Sequence, residues 1–274
     1  MSIYGELNPE PEHRTQFAFK GKREHIAKVN IPNIGYPNQH IDVEIPAGSR
    51  DQIIVPDTLK ITFNLEVESK DKTRSVVNNV GRALVKKKVL MLGSKEIDTV
   101  NQSYIYDTYK DLYLSKQEWE EKLLQGIQSA TGLKARVGAT KADGTALLLT
   151  LTKEENAIKK TVSNRFSIPL DFDFFKHPTY PYGLREDLIA RLELNSAEKI
   201  LLASGDTAAT YKISDIALEY DAIFDLDYAT MFENLYRETS IAYTKVTAVH
   251  HQALSKKNEN WKIDINNLIV RSLQ

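Results

Sequence analysis

Residues 163–194 hold two runs of strict alternation with a break between them. Phe166, Ile168, Leu170, Phe172 and Phe174 share one face of the first run, with Ser167, Asp171 and Asp173 on the other. In the second, Leu188, Ala190, Leu192 and Leu194 oppose Arg191 and Glu193. A period of two is the signature of a half-buried strand, so the pattern predicts two strands with Phe166 to Phe174 in the core. The segment between them, His177-Pro178-Thr179-Tyr180-Pro181-Tyr182-Gly183, continues neither run. Each proline lacks an amide donor and the glycine relaxes the backbone.

The same reading predicts strands at residues 40–45, 59–67, 83–92, 133–137, 146–152, 199–203 and 211–224, with 95–98 as hairpin partner of 83–92. Leu59, Ile61, Phe63, Leu65 and Val67 alternate with charged or polar neighbours, and Ile216, Leu218, Tyr220, Ala222 and Phe224 share one face of the last long run. Such spacing fits an all-β fold, an antiparallel sandwich of the jelly-roll kind. Residues 103–125 break the pattern as a helical insertion. Ile105, Tyr109 and Leu112 recur at helical spacing, Ser115-Lys116-Gln117-Glu118 forms a capping box, and Gly126 closes the segment. A second short helix is predicted around Tyr228, Met231, Phe232 and Leu235, capped by Asp225 and Asp227.

Three domains follow. Residues 1–39 read as an extended N-terminal arm, whose Phe17 and Phe19 form an apolar clip for a neighbouring surface. Residues 40–224 form the jelly roll. Residues 225–274 begin with a linker helix and start a new sheet that is not finished, with Trp261, Ile263 and Ile265 on one face of its last strand as candidate subunit contacts. That open sheet edge is expected to be covered by another chain, as in strand addition.

Composition narrows function mainly by exclusion. With 274 residues, 42% of them hydrophobic and 27% charged, the chain can bury a sizeable core. Its formal net charge of −1 lacks the basic footprint of a phosphate-neutralising protein, so no direct nucleic-acid partner is expected. Lys86-Lys87-Lys88, the densest basic run, reads as a solvated strand edge. Without cysteine there are neither disulfides nor thiolate metal sites. The polar N-terminus carries no signal-type apolar core, and no apolar run suits a membrane span, so a soluble protein, intracellular at synthesis and not secreted, is expected.

No P-loop or GxGxxG fingerprint occurs. His250 and His251 are adjacent, so a strand would point them to opposite faces, away from a shared metal. Asp171-Phe172-Asp173 has a metal–nucleotide DxD form but lies on the polar face of an alternating run. No catalytic, cofactor-binding or metal-binding residue is expected, and the chain reads as a non-enzyme.

Five ordered blocks carry a resemblance. They are residues 55–63 (VPDTLKITF), 78–87 (NNVGRALVKK), 109–113 (YKDLY), 164–172 (NRFSIPLDF) and 211–221 (YKISDIALEYD). Together they resemble the major capsid protein of Polinton (Maverick) elements and adintoviruses. The resemblance implies a hexon-like double jelly-roll protein that trimerises into capsomers and tiles an icosahedral shell. It implies a virion location, with the chain itself and minor or penton capsid proteins as partners. It also places the corner with Pro178, Tyr180 and Tyr182 near a capsomer surface or subunit contact. Members of that family continue through a second complete jelly roll, so the chain is expected to be a fragment or a shortened relative. The alternative reading is a jelly-roll binding module, for carbohydrate for instance, which calls for exposed aromatics on one face. The tyrosine corner is the candidate for that role too.

Overall fold

The computed structural model describes residues 21–31, 34–68, 73–101, 113–137, 163–203 and 209–238, with short pieces at 152–154 and 157. Eleven strands follow in chain order. They are β1 (Lys22–Ile31), β2 (His40–Ile45), β3 (Gln52–Ile54), β4 (Lys60–Glu68), β5 (Thr73–Val76), β6 (Val85–Leu92), β7 (Lys95–Asn101), β8 (Arg165–Pro169), β9 (Leu188–Leu194), β10 (Leu201–Ala203) and β11 (Thr210–Phe224). The helices are α1 (Val80–Ala83), α2 (Lys116–Glu121), α3 (Ala130–Val137), α4 (Pro181–Leu184), α5 (Ala197–Ile200) and α6 (Leu226–Glu238).

One large sheet runs β1-β11-β4-β8, with β3 also pairing β11, a second runs β2-β9-β6-β7, and β5 and β10 pair as a small third. All pairings are antiparallel. With β3, β5 and β10 set aside as short additions, the eight remaining strands stand in the orders 1-8-3-6 and 2-7-4-5. Apart from the β6–β7 hairpin, successive strands thus switch between the facing sheets, which is the connectivity of a jelly roll. The inner faces carry the predicted alternation: β9 buries every second residue from Leu188 to Leu194, and β4 buries Ile61, Phe63, Leu65 and Val67. The five residues Phe166 to Phe174 named above are all in the core.

Several local expectations are corrected. Among the described residues regular structure begins at Lys22, within the stretch read as an arm, because β1 pairs with β11 from Lys22↔Phe224 to Ile31↔Ile216. As an outer strand it is fastened partly by charge: Arg23 donates to Asp221 Oδ2 from Nε (3.1 Å) and from its terminal nitrogen (2.6 Å), and His25 Nδ1 lies 2.8 Å from Asp221 Oδ1. The run at 133–137 is helical. Leu133, Ala135 and Val137 are buried, but so are Gly132 and Arg136, so α3 has little polar face to reveal its period. The strand expected through Phe174 ends at Pro169; a 3-10 turn at Asp173–Lys176 then buries the adjacent Phe174 and Phe175, which a half-buried strand cannot do. Residues 80–83 form α1 ahead of β6, and residues 197–200 form α5 ahead of β10. The strand expected at 146–152 lies outside the described residues, apart from its last position.

The insertion follows its local signals where it is described. Ser115 and Glu118 form the reciprocal capping box: the Ser115 amide donates to Glu118 Oε2 (2.7 Å), and the Glu118 amide donates to Ser115 Oγ (3.3 Å). Gly126 ends the following 3-10 turn at φ +85°, where a Cβ would stand 2.5 Å from Val80 Cγ1. This close approach sets α1 against the insertion.

Phe63 and Phe166 face each other across the β4–β8 pair with ring centroids 6.4 Å apart, and the Arg136 guanidinium lies 3.8 Å over the Phe166 ring. Phe166→Ala empties a site bounded by sheet, helix and cation. It is expected to cost about 3–5 kcal/mol, read as a lower denaturant midpoint at unchanged slope.

Candidate interaction site at the tyrosine corner

The corner after β8 does not hang free. Residues 181–184 form α4, and with β3 they make a shelf on which α6 lies. Ile53, Tyr180, Ala229 and Phe232 form a second small core there, with Tyr228, Met231, Leu235 and Tyr236 packed around it. The helical spacing of those α6 residues is the one the sequence shows. Asp225 caps α6, its Oδ1 accepting from the amides of Asp227 and Tyr228, each at 3.1 Å.

Tyr180 is the centre of this arrangement and is 1% exposed. Its phenol donates to the Arg50 carbonyl (2.7 Å), and its amide donates to Tyr236 Oη (3.1 Å). Burial pushes the Tyr236 phenol up to about 12, so it stays a neutral hydroxyl able to accept that amide. Gly183 allows the approach, since a Cβ there would fall 2.5 Å from Tyr180 Cδ1. Tyr180 is therefore spent inside its own chain and offers no side chain to a partner, which corrects its expected contact role. Tyr182, 49% exposed, presents the aromatic surface of the corner, and Pro178 is half-buried. The other expected contact residues, Phe17, Phe19, Trp261, Ile263 and Ile265, lie outside the described residues.

The polar groups that might have carried chemistry are structural. Lys88 is 3% exposed on the interior strand β6, so the lysine run is not a solvated edge. Its ammonium pairs with Asp171 Oδ1, while an Arg82 terminal nitrogen reaches Asp171 Oδ2 at 2.6 Å and Arg82 Nε reaches Gln125 at 3.2 Å. Burial alone would raise the Asp171 carboxyl, but Lys88 and Arg82 together outweigh it and hold the group well below the usual carboxylate range. The first acid of the DxD form thus ties β8 of one sheet to β6 of the other. The second, Asp173, pairs with Lys176 one turn on. Among the described residues no group of three metal-ligating side chains gathers. No described helix is long and apolar enough to cross a membrane.

No family model and no curated protein matches the chain. Solved structures do. The chain is similar to the PBCV-1 virus capsid, at 12% identity and a TM-score of 0.48 over 78% of this chain and 45% of that one. It is also similar to the Faustovirus major capsid protein, at 10% and 0.47 over 79% of this chain and 56% of that one. A third likeness is to the Sputnik virophage, at 6% and 0.45 over 74% of this chain and 48% of that one. The chain spans about half the length of each.

Asp171 supplies the pH test of the ion cluster. Because its folded pKa is depressed, its contribution is present in full above the usual carboxylate range and is lost as pH falls toward the folded value. Asp171→Asn leaves the Lys88 charge buried and uncompensated. It is expected to cost about 3–5 kcal/mol at neutral pH and to flatten the acid limb of stability, both read from denaturant titrations between neutral and acid pH.

Proposed function

We propose that the chain is a structural major capsid protein of hexon-like type, whose copies associate as trimeric capsomers into an icosahedral shell. The lineage is that of Polinton elements and adintoviruses, and the location is the virion. On this reading residues 225–274 link to, and begin, a second jelly roll, and minor or penton proteins join the assembly. No catalysis is part of it.

The observation that carries the reading is where the resembling blocks fall. Residues 55–63 and 211–221 meet in the β4–β11 pair, with Lys60↔Glu219 and Ile61↔Leu218 in register. Residues 78–87 and 164–172 meet through Arg82 and Asp171. The block at 109–113 lies outside the described residues except for Tyr113. The four described blocks thus meet in pairs within one scaffold. Resemblance concentrated on framework contacts is what a protein selected for its shape retains.

The test is size and form in solution. Light scattering after gel filtration is expected to give threefold assembly, and electron microscopy of the expressed protein capsomers or shells. A stable monomer that binds glycans would overturn the reading in favour of a binding module. Tyr182→Ala touches an exposed side chain, so folding stability should move by no more than about 0.5 kcal/mol. The assembled fraction should fall, and unchanged assembly would remove the corner from the contact surface.

A further inference from the structure

We propose that Arg136 seals the outer edge of β8, closing that side of its sheet against strand addition by a second copy of this chain. The observations concern backbone direction. β8 ends the order β1-β11-β4-β8, so one of its edges has no strand beside it among the described residues. The carbonyl of Asn164 turns inward to accept from the Leu65 amide at 3.0 Å. Carbonyls alternate along a strand, so those of Ser163, Arg165 and Ser167 point the other way, out along the open edge.

Each of the three is met from within the chain. Arg136 donates to the Ser163 carbonyl from Nε at 3.0 Å and to the Arg165 carbonyl from one terminal nitrogen at 2.6 Å. Its other terminal nitrogen donates to the Leu123 carbonyl at 2.7 Å, tying the seal to the insertion. At Gly81 the backbone of α1 lies so close over Ser167 that a Cβ would stand 2.2 Å from its carbonyl oxygen. The Arg165 amide is occupied by Ser163 Oγ at 3.1 Å. The guanidinium is the suitable group, because its planar fork carries donors in several directions and its flat face stacks on Phe166. Burial lowers the Arg136 pKa to about 10, which leaves it a cation at neutral pH.

The far edge of the same sheet is guarded differently. β1 exposes Lys22, Arg23 and His25, the charged side chains that ordinarily deter edge-to-edge pairing. One edge is covered and the other charged. Both devices matter most for a chain held at high local concentration beside its own copies, and neither depends on the shell reading.

The experiment compares the full-length wild type with Arg136→Met, which keeps the stem and loses every donor, and with Arg136→Lys, which keeps the charge but not the fork. Circular dichroism and denaturant unfolding establish that each is folded. Two edge carbonyls released at the usual net value of a hydrogen bond should raise self-association roughly tenfold over the wild-type baseline in R136M, read by light scattering across a concentration series. R136K should fall between. Adding Arg165→Pro, which removes the outward amide at the first residue of the edge strand, where proline is tolerated, should return the variants to the baseline. A purely stabilising role for Arg136 would not respond to that second change. Folded R136M that associates no more than wild type overturns the proposal, as does extra association that persists in R136M/R165P. If R136M does not fold, the same two comparisons on R136K decide.

Discussion

The constraint on which most of the molecule depends is the length of β11. Its fifteen residues span on the order of 50 Å, longer than any strand beside it. It therefore carries β1 along one side and two strands in succession along the other, β4 from Thr210 to Glu219 and β3 from Ala222 to Phe224. A ladder that long cannot stay flat, and the strain is released at one place. Asp215 sits at φ 54° where the β4 register slips between Ser214 and Ala217, its carboxylate taking Asn64 at 3.2 Å and Arg165 at 3.3 Å. The strand then runs through Asp225 straight into α6. The direction of β11 thus fixes where α6 lands and, through Tyr180 and Tyr236, how the corner is held.

Two buried cations fasten what lies outside that ladder, and they do so by different chemistry. Lys88 is neutralised by a carboxylate shared with Arg82, an arrangement whose Coulomb gain is largely offset by the cost of dehydrating the charges. Its value lies in geometry, since an ammonium on β6 and a carboxylate beyond β8 meet in only one alignment of the two sheets. Arg136 instead spreads its charge over three carbonyls and an aromatic face, and so needs no precise counter-ion position. The first fixes sheet to sheet, and the second fixes insertion to sheet.

How much of this could be read in the sequence follows from where each residue faces. β4, β9 and β11 have one wet side and one dry side, so their alternation is plain. β1 has no such contrast in its sequence: it lies at the sheet edge among the described strands, Ile26 is the half-buried apolar residue packed on the core among its described side chains at 22–27, and KREHIAKVNI reads as polar. α3 failed for the opposite reason, being buried nearly all round. The signal that could have found it is Ser129, whose hydroxyl accepts from the Gly132 amide at 3.2 Å as an N-terminal cap. Tyr180 and Tyr182 are alike in sequence, and only the docking of α6 separates the buried one from the exposed one. Lys88 and Asp171 are 83 residues apart, and no periodicity reports a partner at that distance.

The surfaces left over bear on how such a chain meets its neighbours. The outward face of the β11 sheet is charged and already neutralised: Glu219 takes Lys60 and Thr62, Asp221 takes Arg23 and His25, and Lys212 takes Glu66. A carbohydrate platform of stacked aromatics has no place on it. The exposed large apolar residues fall instead at turns and element ends, among them Ile34, Tyr36, Tyr113, Leu123, Tyr182 and Leu226. Isolated residues of this kind make weak contacts singly and specific ones only when several loops meet a complementary surface together. In the β11 sheet, edges that are covered or charged and a face that is self-paired leave the apolar tips of separate loops as the surfaces open to association. That division is the one the proposed shell role would require, a scaffold that keeps its shape with the contacts to neighbours left to its loops.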